Sequence, residues 1–193
     1  MSKSNVLKKI FPEPLHNNLA YDNEGLWSIT HPTDADIISS NILLLNNNCK
    51  SIIDMTAGCG GNTISFCKYF NNVTGIENNS SRFSILESNI KCYDINNITL
   101  LCTDSVEYIK TCNPYDVYFL DPPWGGPDYK KYNNLELTLS NINLLDLIDI
   151  IPKNKIIVIK LPYNYNIINI INKCELLLKL EIRNIIILYL LNA

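Results

Sequence analysis

Short apolar runs alternate with stretches of mixed polarity along most of the chain, and this alternation predicts its elements. Continuous apolar runs are typical of buried parallel strands, whereas apolar positions repeating every three or four residues are typical of amphipathic helices. The predicted strands are Lys50–Asp54, Val73–Glu77, Ile98–Cys102, Tyr115–Leu120 and Lys155–Leu161, followed by two closing strands that meet near Arg183 and Asn184. The predicted helices are residues 34–46, Gly60–Phe70, Ser80–Tyr93, Ser105–Thr111, Leu135–Ile151 and Asn166–Lys173.

Strands and helices in this order predict an α/β fold, with a mainly parallel sheet and helices on both faces. Residues 1–32 precede the pattern and contain prolines at positions 12 and 14, so they are interpreted as an N-terminal extension. Thr33 is expected to cap the first helix of the domain that follows, residues 33–193.

The charge of the chain limits the partners that it is expected to have. The formal net charge is −3 and the isoelectric point is about 5.4, so the chain has no overall basic bias. Proteins that coat long stretches of RNA or DNA usually present a basic face. If this chain binds nucleic acid, we therefore expect it to hold a single nucleotide or a chain end.

The cysteines and the apolar C-terminal region favour an intracellular protein with neither a metal site nor a membrane span. None of the seven cysteines has CxxC spacing, which argues against structural zinc, and no secretory signal opens the chain. Lys179, Glu181 and Arg183 interrupt the apolar run Leu176–Leu191. Charges in the middle of a membrane-spanning helix are costly, so two buried strands fit this run better.

Acidic and glycine residues follow three successive predicted strands. Asp54 and the turn Gly58–Gly61 follow the first strand, Glu77 ends the second and Asp104 follows the third. Glycines let a ligand approach the backbone closely, and a carboxylate after the second strand suits a ribose diol. The turn alone is equally consistent with a tight connection between strand and helix. It matches neither the GxGxxG dinucleotide motif nor a P-loop.

The segment Asp121–Pro127, with the sequence Asp-Pro-Pro-Trp-Gly-Gly-Pro, follows the fourth predicted strand. Two prolines and two glycines around Trp124 predict a stiff loop at the carboxyl end of that strand. Such a loop can hold a planar base, with the indole stacked on the ring and Asp121 facing the reacting nitrogen. This arrangement suits methyl transfer to a nucleobase amine.

Asp54, the Gly58–Gly61 turn, Glu77, Asp104 and Asp121–Trp124 together resemble the class I S-adenosylmethionine-dependent methyltransferases. The resemblance implies a Rossmann-like, mainly parallel seven-stranded sheet with an antiparallel C-terminal strand. It also implies S-adenosylmethionine as the cofactor, with Asp54 near the methionine moiety, Glu77 on the ribose and Asp104 on the adenine.

A narrower resemblance is carried by Pro122–Tyr129, together with Glu24–Thr30, Cys59–Ile64, and Asn89 with Tyr93. These stretches are similar to the trimethylguanosine synthases, which methylate N2 of a 7-methylguanosine RNA cap. The resemblance implies that 7-methylguanosine-capped RNA is the substrate, that di- or trimethylguanosine caps are the product, and that the enzyme acts in the nucleus or cytoplasm. It also implies that the N-terminal extension contributes to the substrate pocket.

The same resemblance assigns roles to individual residues. Asp121 and Pro122 are the implied catalytic residues, although many relatives have serine in place of Asp121. The implied substrate-binding residues are Trp124, Asn89, Ser28 and Pro123. The implied cofactor-binding residues are Thr30, Asp54, Gly58, Gly60, Asn62, Glu77, Asp104 and Asp121.

Two other functions remain open at the level of sequence. An enzyme that methylates adenine N6 or guanine N2 inside rRNA or DNA shares the Asp-Pro-Pro-aromatic segment. A cap-binding or stimulatory subunit with a methyltransferase fold is the non-enzymatic alternative. The intact set of Asp54, Glu77 and Asp104 argues against this last possibility.

Overall fold

Three parallel strands organise the first part of the chain. The computed structural model describes residues 3–132 and 135–193, and these residues pack as two units that meet in the sequence between residues 103 and 104. In chain order, the elements of the first unit are α1 (Lys3–Ile10), α2 (Gly25–Ser28), α3 (Pro32–Leu45), β1 (Ser51–Asp54), α4 (Gly61–Tyr69), β2 (Asn72–Ile76), α5 (Ser80–Cys92) and β3 (Ile98–Leu101). Strand β2 pairs in parallel with β1 and with β3, so the carboxyl ends of all three strands lie at one edge.

The N-terminal segment forms part of the hydrophobic core of this unit. Leu7, Ile10, Phe11 and Leu19 are buried in one cluster with apolar side chains of the first unit that include Leu86. Burial of large apolar side chains is the main favourable contribution to folding. The extension predicted for residues 1–32 is therefore helical in part and packed against the rest of its unit.

The second unit contains the remaining strands. Its elements are α6 (Ser105–Ile109), β4 (Val117–Leu120), a short 3-10 helix (Pro127–Lys131), β5 (Thr138–Leu139), β6 (Ile142–Asn143), α7 (Leu144–Ile150), β7 (Lys155–Pro162), α8 (Ile168–Lys173), β8 (Glu175–Ile182) and β9 (Ile185–Asn192). Strand β7 pairs in parallel with β4 and antiparallel with β9, which in turn pairs antiparallel with β8. Arg183, which has a φ of 56°, lies in the turn between β8 and β9.

The seven long strands form one sheet in the order β3-β2-β1-β4-β7-β9-β8, and a separate hairpin contains β5 and β6. This mainly parallel sheet with an antiparallel C-terminal strand confirms the predicted Rossmann-like class. No helix within residues 3–132 and 135–193 has the length and apolar character needed to cross a membrane.

Two local predictions were wrong. The helix predicted for Leu135–Ile151 begins only at Leu144, because Ser140 and Asn141 adopt positive φ angles and turn the β5–β6 hairpin. Asn143 then caps the helix by accepting hydrogen bonds from two backbone N–H groups. The N-cap of α3 is His31 rather than Thr33, because the His31 side chain accepts the N–H of Thr33 and proline occupies the first helical position.

Candidate active site

The turn between β1 and α4 requires glycine at two positions. Gly58 has a φ of 56° and Gly60 a φ of 103°, values that residues with a side chain rarely adopt. A Cβ atom at Gly60 would also lie 3.1 Å from Cδ1 of Leu86. The glycines therefore fix a tight turn that leads into the N-terminus of α4, where backbone N–H groups are available to a ligand.

Glu77, which follows β2, lies beside this turn. One carboxylate oxygen accepts a hydrogen bond from the Gly58 N–H at 3.1 Å, and the other accepts from the Asn79 N–H at 2.8 Å. The side chain is almost fully buried. The backbone thus fixes the Glu77 carboxylate, and a carboxylate at the end of the second strand suits a ribose diol.

Asp54 holds the start of the turn in place. Its Oδ1 accepts the N–H of Thr56 at 3.1 Å, and its Oδ2 accepts the Thr63 hydroxyl at 2.6 Å. The carboxylate is buried between the end of β1 and the first turns of α4. These contacts give Asp54 a structural role, and its contact with the methionine moiety stays a prediction.

Arg82 is a residue that the sequence interpretation missed. Its Nε donates to Asp22 at 2.9 Å, another of its nitrogens pairs closely with Glu24, and its Nη1 lies 3.9 Å from Glu77. Burial acts to raise the pKa of Asp22, but hydrogen bonds from the Gly25 N–H and Arg82 outweigh it and lower that pKa. Arg82 therefore ties the N-terminal segment to the carboxylate beside the glycine turn.

Thr30 and Asn62, both predicted to face the cofactor, contact each other. The Asn62 amide donates to the Thr30 hydroxyl at 2.9 Å, and both side chains are buried. Among residues 3–132 and 135–193, the amide oxygen of Asn62 has no hydrogen-bond partner. A buried acceptor without a partner is costly, so a ligand that offers a hydrogen-bond donor fits this position.

The predicted substrate residues of the first unit differ in accessibility. Ser28 is exposed at the end of α2. Asn89 is fully buried: its amide donates to the carbonyls of Ala20 and Cys59, and its oxygen accepts the Ala20 N–H, all at 2.9 Å. The geometry therefore gives Asn89 a structural role that clamps the N-terminal segment, and its contact with a guanine remains untested.

Replacing Asn89 with alanine should lower the free energy of unfolding by about 3 kcal/mol, because three backbone groups lose their partner. Hydrogen exchange should also accelerate around Ala20. Urea unfolding and exchange mass spectrometry measure the two effects. Asn96→Ala, an exposed substitution in the same unit, is the control and should change neither. Equal stabilities of the two variants would contradict the clamp.

Asp104 is the N-cap of α6 in the second unit. Its Oδ1 accepts the N–H groups of Val106 and Glu107 at 2.8 and 3.2 Å. Burial acts to raise its pKa, but hydrogen bonds from the Ser140 side chain and these two N–H groups lower it overall. Asp104 is thus held as a carboxylate at the start of a helix, and its contact with adenine stays a prediction.

The loop after β4 holds an aromatic side chain between two prolines and two glycines. Pro122 is buried and Pro123 exposed, while the φ angles of Gly125 and Gly126 are both 85°. The half-buried Trp124 packs edge to face against Tyr129, with ring centroids 5.1 Å apart. Within the part of the chain that the structure describes, the Trp124 Nε1 has no acceptor. The loop therefore buries the indole N–H and leaves part of the indole ring exposed.

Lys160 of β7 is the second residue that the sequence interpretation missed. Its ammonium group donates to Asp121 at 2.6 Å and lies 5.3 Å from the centre of the Trp124 ring. The only signal in the sequence is a lysine inside the apolar run Lys155–Leu161. A charge in a buried strand needs a partner, but the sequence does not identify that partner.

Comparison with known proteins adds a family match. A family model described as RNA cap guanine-N2 methyltransferase matches residues 49–192, which is well over half of the chain. An uncharacterized protein of Acanthamoeba polyphaga mimivirus is 33% identical over 191 residues, covering 83% of this chain and 75% of its own length.

Two curated relatives are trimethylguanosine synthases. The Schizosaccharomyces pombe synthase is 31% identical over 127 residues, and the Saccharomyces cerevisiae synthase is 28% identical over 123 residues. These alignments cover 59% and 61% of this chain. They span only 52% and 39% of the two synthases.

Solved structures agree on the fold. The 16S rRNA N2 methyltransferase RsmC of T. thermophilus, solved with AdoMet and guanosine, superimposes with a TM-score of 0.65 at 13% identity. The match covers 90% of this chain and 44% of that one. A methyltransferase from Geobacter sulfurreducens gives a TM-score of 0.60 at 9% identity and covers 84% of this chain and 78% of its own.

Proposed function

Because the chain belongs to the RNA cap guanine-N2 methyltransferase family and is therefore an S-adenosylmethionine-dependent RNA methyltransferase, we propose that it methylates the exocyclic N2 of a 7-methylguanosine cap. The observation that carries this proposal is the loop after β4, where Asp121 and Trp124 lie at the end of a buried strand. The products are di- or trimethylguanosine caps, formed where capped RNA occurs, in the nucleus or cytoplasm.

The residues of the first unit fit the cofactor. Glu77 is fixed next to the Gly58 N–H and can accept hydrogen bonds from the ribose hydroxyls. The amide oxygen of Asn62 is an acceptor for a donor group of the ligand, and Thr30 orients that amide. Bound S-adenosylmethionine supplies an electrophilic methyl group, and the electron pair of the broken carbon–sulfur bond stays on the sulfur.

Trp124 supports recognition of the cap base. A 7-methylguanine ring carries a positive charge, and an indole face attracts a cation by about 1–2 kcal/mol once water is excluded. Stacking on an aromatic side chain adds about 1–3 kcal/mol for a base. Unmethylated guanine gains only the stacking contribution, so the loop should prefer the methylated base.

Asp121 and Pro122 align the amine. The N2 lone pair is delocalised into the purine ring, which makes this nitrogen a poor nucleophile. The Asp121 carboxylate and the Pro122 carbonyl accept hydrogen bonds from the two N2 hydrogens and direct the lone pair towards the methyl group. As the nitrogen–carbon bond forms, N2 becomes positively charged, and Asp121 accepts the proton that it releases.

Two transcripts of one sequence, with and without a 7-methylguanosine cap, test the substrate. After incubation with labelled S-adenosylmethionine, nuclease digestion and mass spectrometry show which nucleoside gained a methyl group. We expect label only in the cap nucleoside of the capped transcript. Equal labelling of both transcripts at internal positions would overturn the proposal.

A second candidate is methylation of guanine N2 inside rRNA. It is favoured by the similarity in fold to RsmC, whose name specifies 16S rRNA N2 methylation. Internal N2-methylguanosine in the uncapped transcript, with no product in the cap, would support this candidate. The family match supports an enzyme in either case, rather than a stimulatory subunit.

A further inference from the structure

The register of the sheet places a buried lysine next to the proposed catalytic carboxylate. Strands β4 and β7 are parallel, with Leu120 opposite Ile159. The next residues, Asp121 and Lys160, are therefore neighbours, and their side chains meet at 2.6 Å. Only 4% of the Lys160 side chain and 16% of the Asp121 side chain are exposed.

Lys160 and Asp121 form a buried ion pair, which differs in its energetics from an ion pair on the surface. An exposed pair contributes little because water screens it, whereas a buried lysine needs a partner to remain charged. The opposing residue on β9 is the apolar Ile187, and the ring that faces the ammonium group is that of Trp124. Lys160 thus contacts Asp121 and Trp124, the two side chains that bind the guanine base in the proposed function.

We propose that Lys160 is the positioning residue for Asp121, which it holds as an oriented, negatively charged acceptor for the N2 amine. This inference rests on the proposed function, in which Asp121 aligns the N2 amine. The ammonium fixes the rotation of the carboxylate through the bond to Oδ2. The pair has no net charge, so a cationic base can stack on Trp124 without facing an isolated positive charge.

The titration of Asp121 gives this inference a signature that a merely structural lysine would lack. Burial raises the pKa of the Asp121 carboxyl, and the Lys160 charge acts in the opposite direction. Only the ionised carboxylate can accept the proton from N2. Removing the ammonium should raise the pKa further, so that turnover is lost at neutral pH and recovers as the pH increases.

Lys160→Met tests this inference against Lys155→Met, a substitution on the same strand at a lysine that lies 3.7 Å from Asp116. With cap analogue as the acceptor, we expect kcat of Lys160→Met at pH 7 to fall at least about tenfold. The acid limb of its profile should move to higher pH, while its affinity for 7-methyl-GTP changes less than about threefold. Lys155→Met should keep the wild-type profile.

A carbon-13 NMR titration of labelled aspartate carboxyl groups, in the absence of cap analogue, tests the role of Lys160 independently of the proposed function. The Asp121 signal is identified by its loss in Asp121→Asn, and it should titrate at higher pH in Lys160→Met than in the wild type. If Asp121 titrates at the same pH in Lys160→Met as in the wild type, and the pH profile of kcat is also unchanged, the role proposed for Lys160 is wrong. A wild-type enzyme that is inactive on the cap analogue would overturn the proposed function instead. The titration would still show whether Lys160 lowers the pKa of Asp121. If Lys160→Met does not fold, Lys160→Gln takes its place.

Discussion

Replacing Asp121 with alanine should lower kcat on a 7-methylguanosine cap at least about 100-fold, the lower end of what a positioned proton acceptor contributes. The alanine variant cannot orient the amine or accept its proton, so the loss falls on the chemical step. Affinity for 7-methyl-GTP should fall much less than kcat, because Trp124 still holds the base, although Lys160 is left without its carboxylate partner. Steady-state kinetics and equilibrium binding measure the two quantities separately.

Asp128→Ala is the matched control for this substitution. Asp128 belongs to the 3-10 helix after the loop, is exposed and pairs with Lys131 on the surface. Its replacement should leave kcat unchanged. If Asp121→Ala retains wild-type turnover, the alignment of the amine belongs to backbone groups such as the Pro122 carbonyl. The role assigned to the carboxylate would then be wrong.

Replacing Trp124 with alanine should weaken the binding of 7-methyl-GTP at least about 30-fold, which corresponds to about 2 kcal/mol. The indole provides both the stacking surface and the cation–π attraction, and alanine provides neither. Affinity for S-adenosylmethionine should be nearly unchanged. Isothermal titration with each ligand measures both constants.

Tyr132→Ala is the control for the loss of an aromatic side chain. Tyr132 is 56% exposed at the end of the 3-10 helix that follows the loop. Its loss should not affect the binding of 7-methyl-GTP. A change of less than about threefold for Trp124→Ala, or under ~0.7 kcal/mol, would show that Trp124 is not the stacking surface.

The sequence predicted those parts of the candidate site that depend on local patterns. Glycines that need positive φ, and carboxylates that follow buried strands, are visible as residue types at fixed places along the chain. Gly58 and Glu77 accordingly contact each other in the structure. The seven strands were also predictable, because continuous apolar runs such as the one in β7 are typical of strands that are buried on both faces.

Partners that are distant in sequence could not be predicted in this way. Lys160 is 39 residues from Asp121, and Arg82 is 60 residues from Asp22. Only the register of the sheet and the packing of the N-terminal segment bring these groups together. The buried position of Asn89 has the same origin, since its partner Ala20 lies 69 residues earlier. A resemblance to a family suggests which residues matter, but the contacts of those residues depend on the fold.

The β5–β6 hairpin was missed for a different reason. Leu135–Ile151 contains enough apolar residues at helical spacing to suggest one long helix. Ser140 and Asn141 interrupt it with positive φ angles, which asparagine tolerates better than most residues. Asn143 then supplies the N-cap, so the residues that end the hairpin also begin α7.

Initial rates of methyl transfer to 7-methyl-GTP and to GTP, measured side by side with the same enzyme and cofactor, test the central claim most directly. The account predicts a product methylated at N2 of 7-methyl-GTP. Because only the methylated base gains the cation–π contribution, it also predicts a kcat/KM about 5- to 30-fold higher than for GTP. Equal rates on the two nucleotides, or methylation at any atom other than N2, would contradict it.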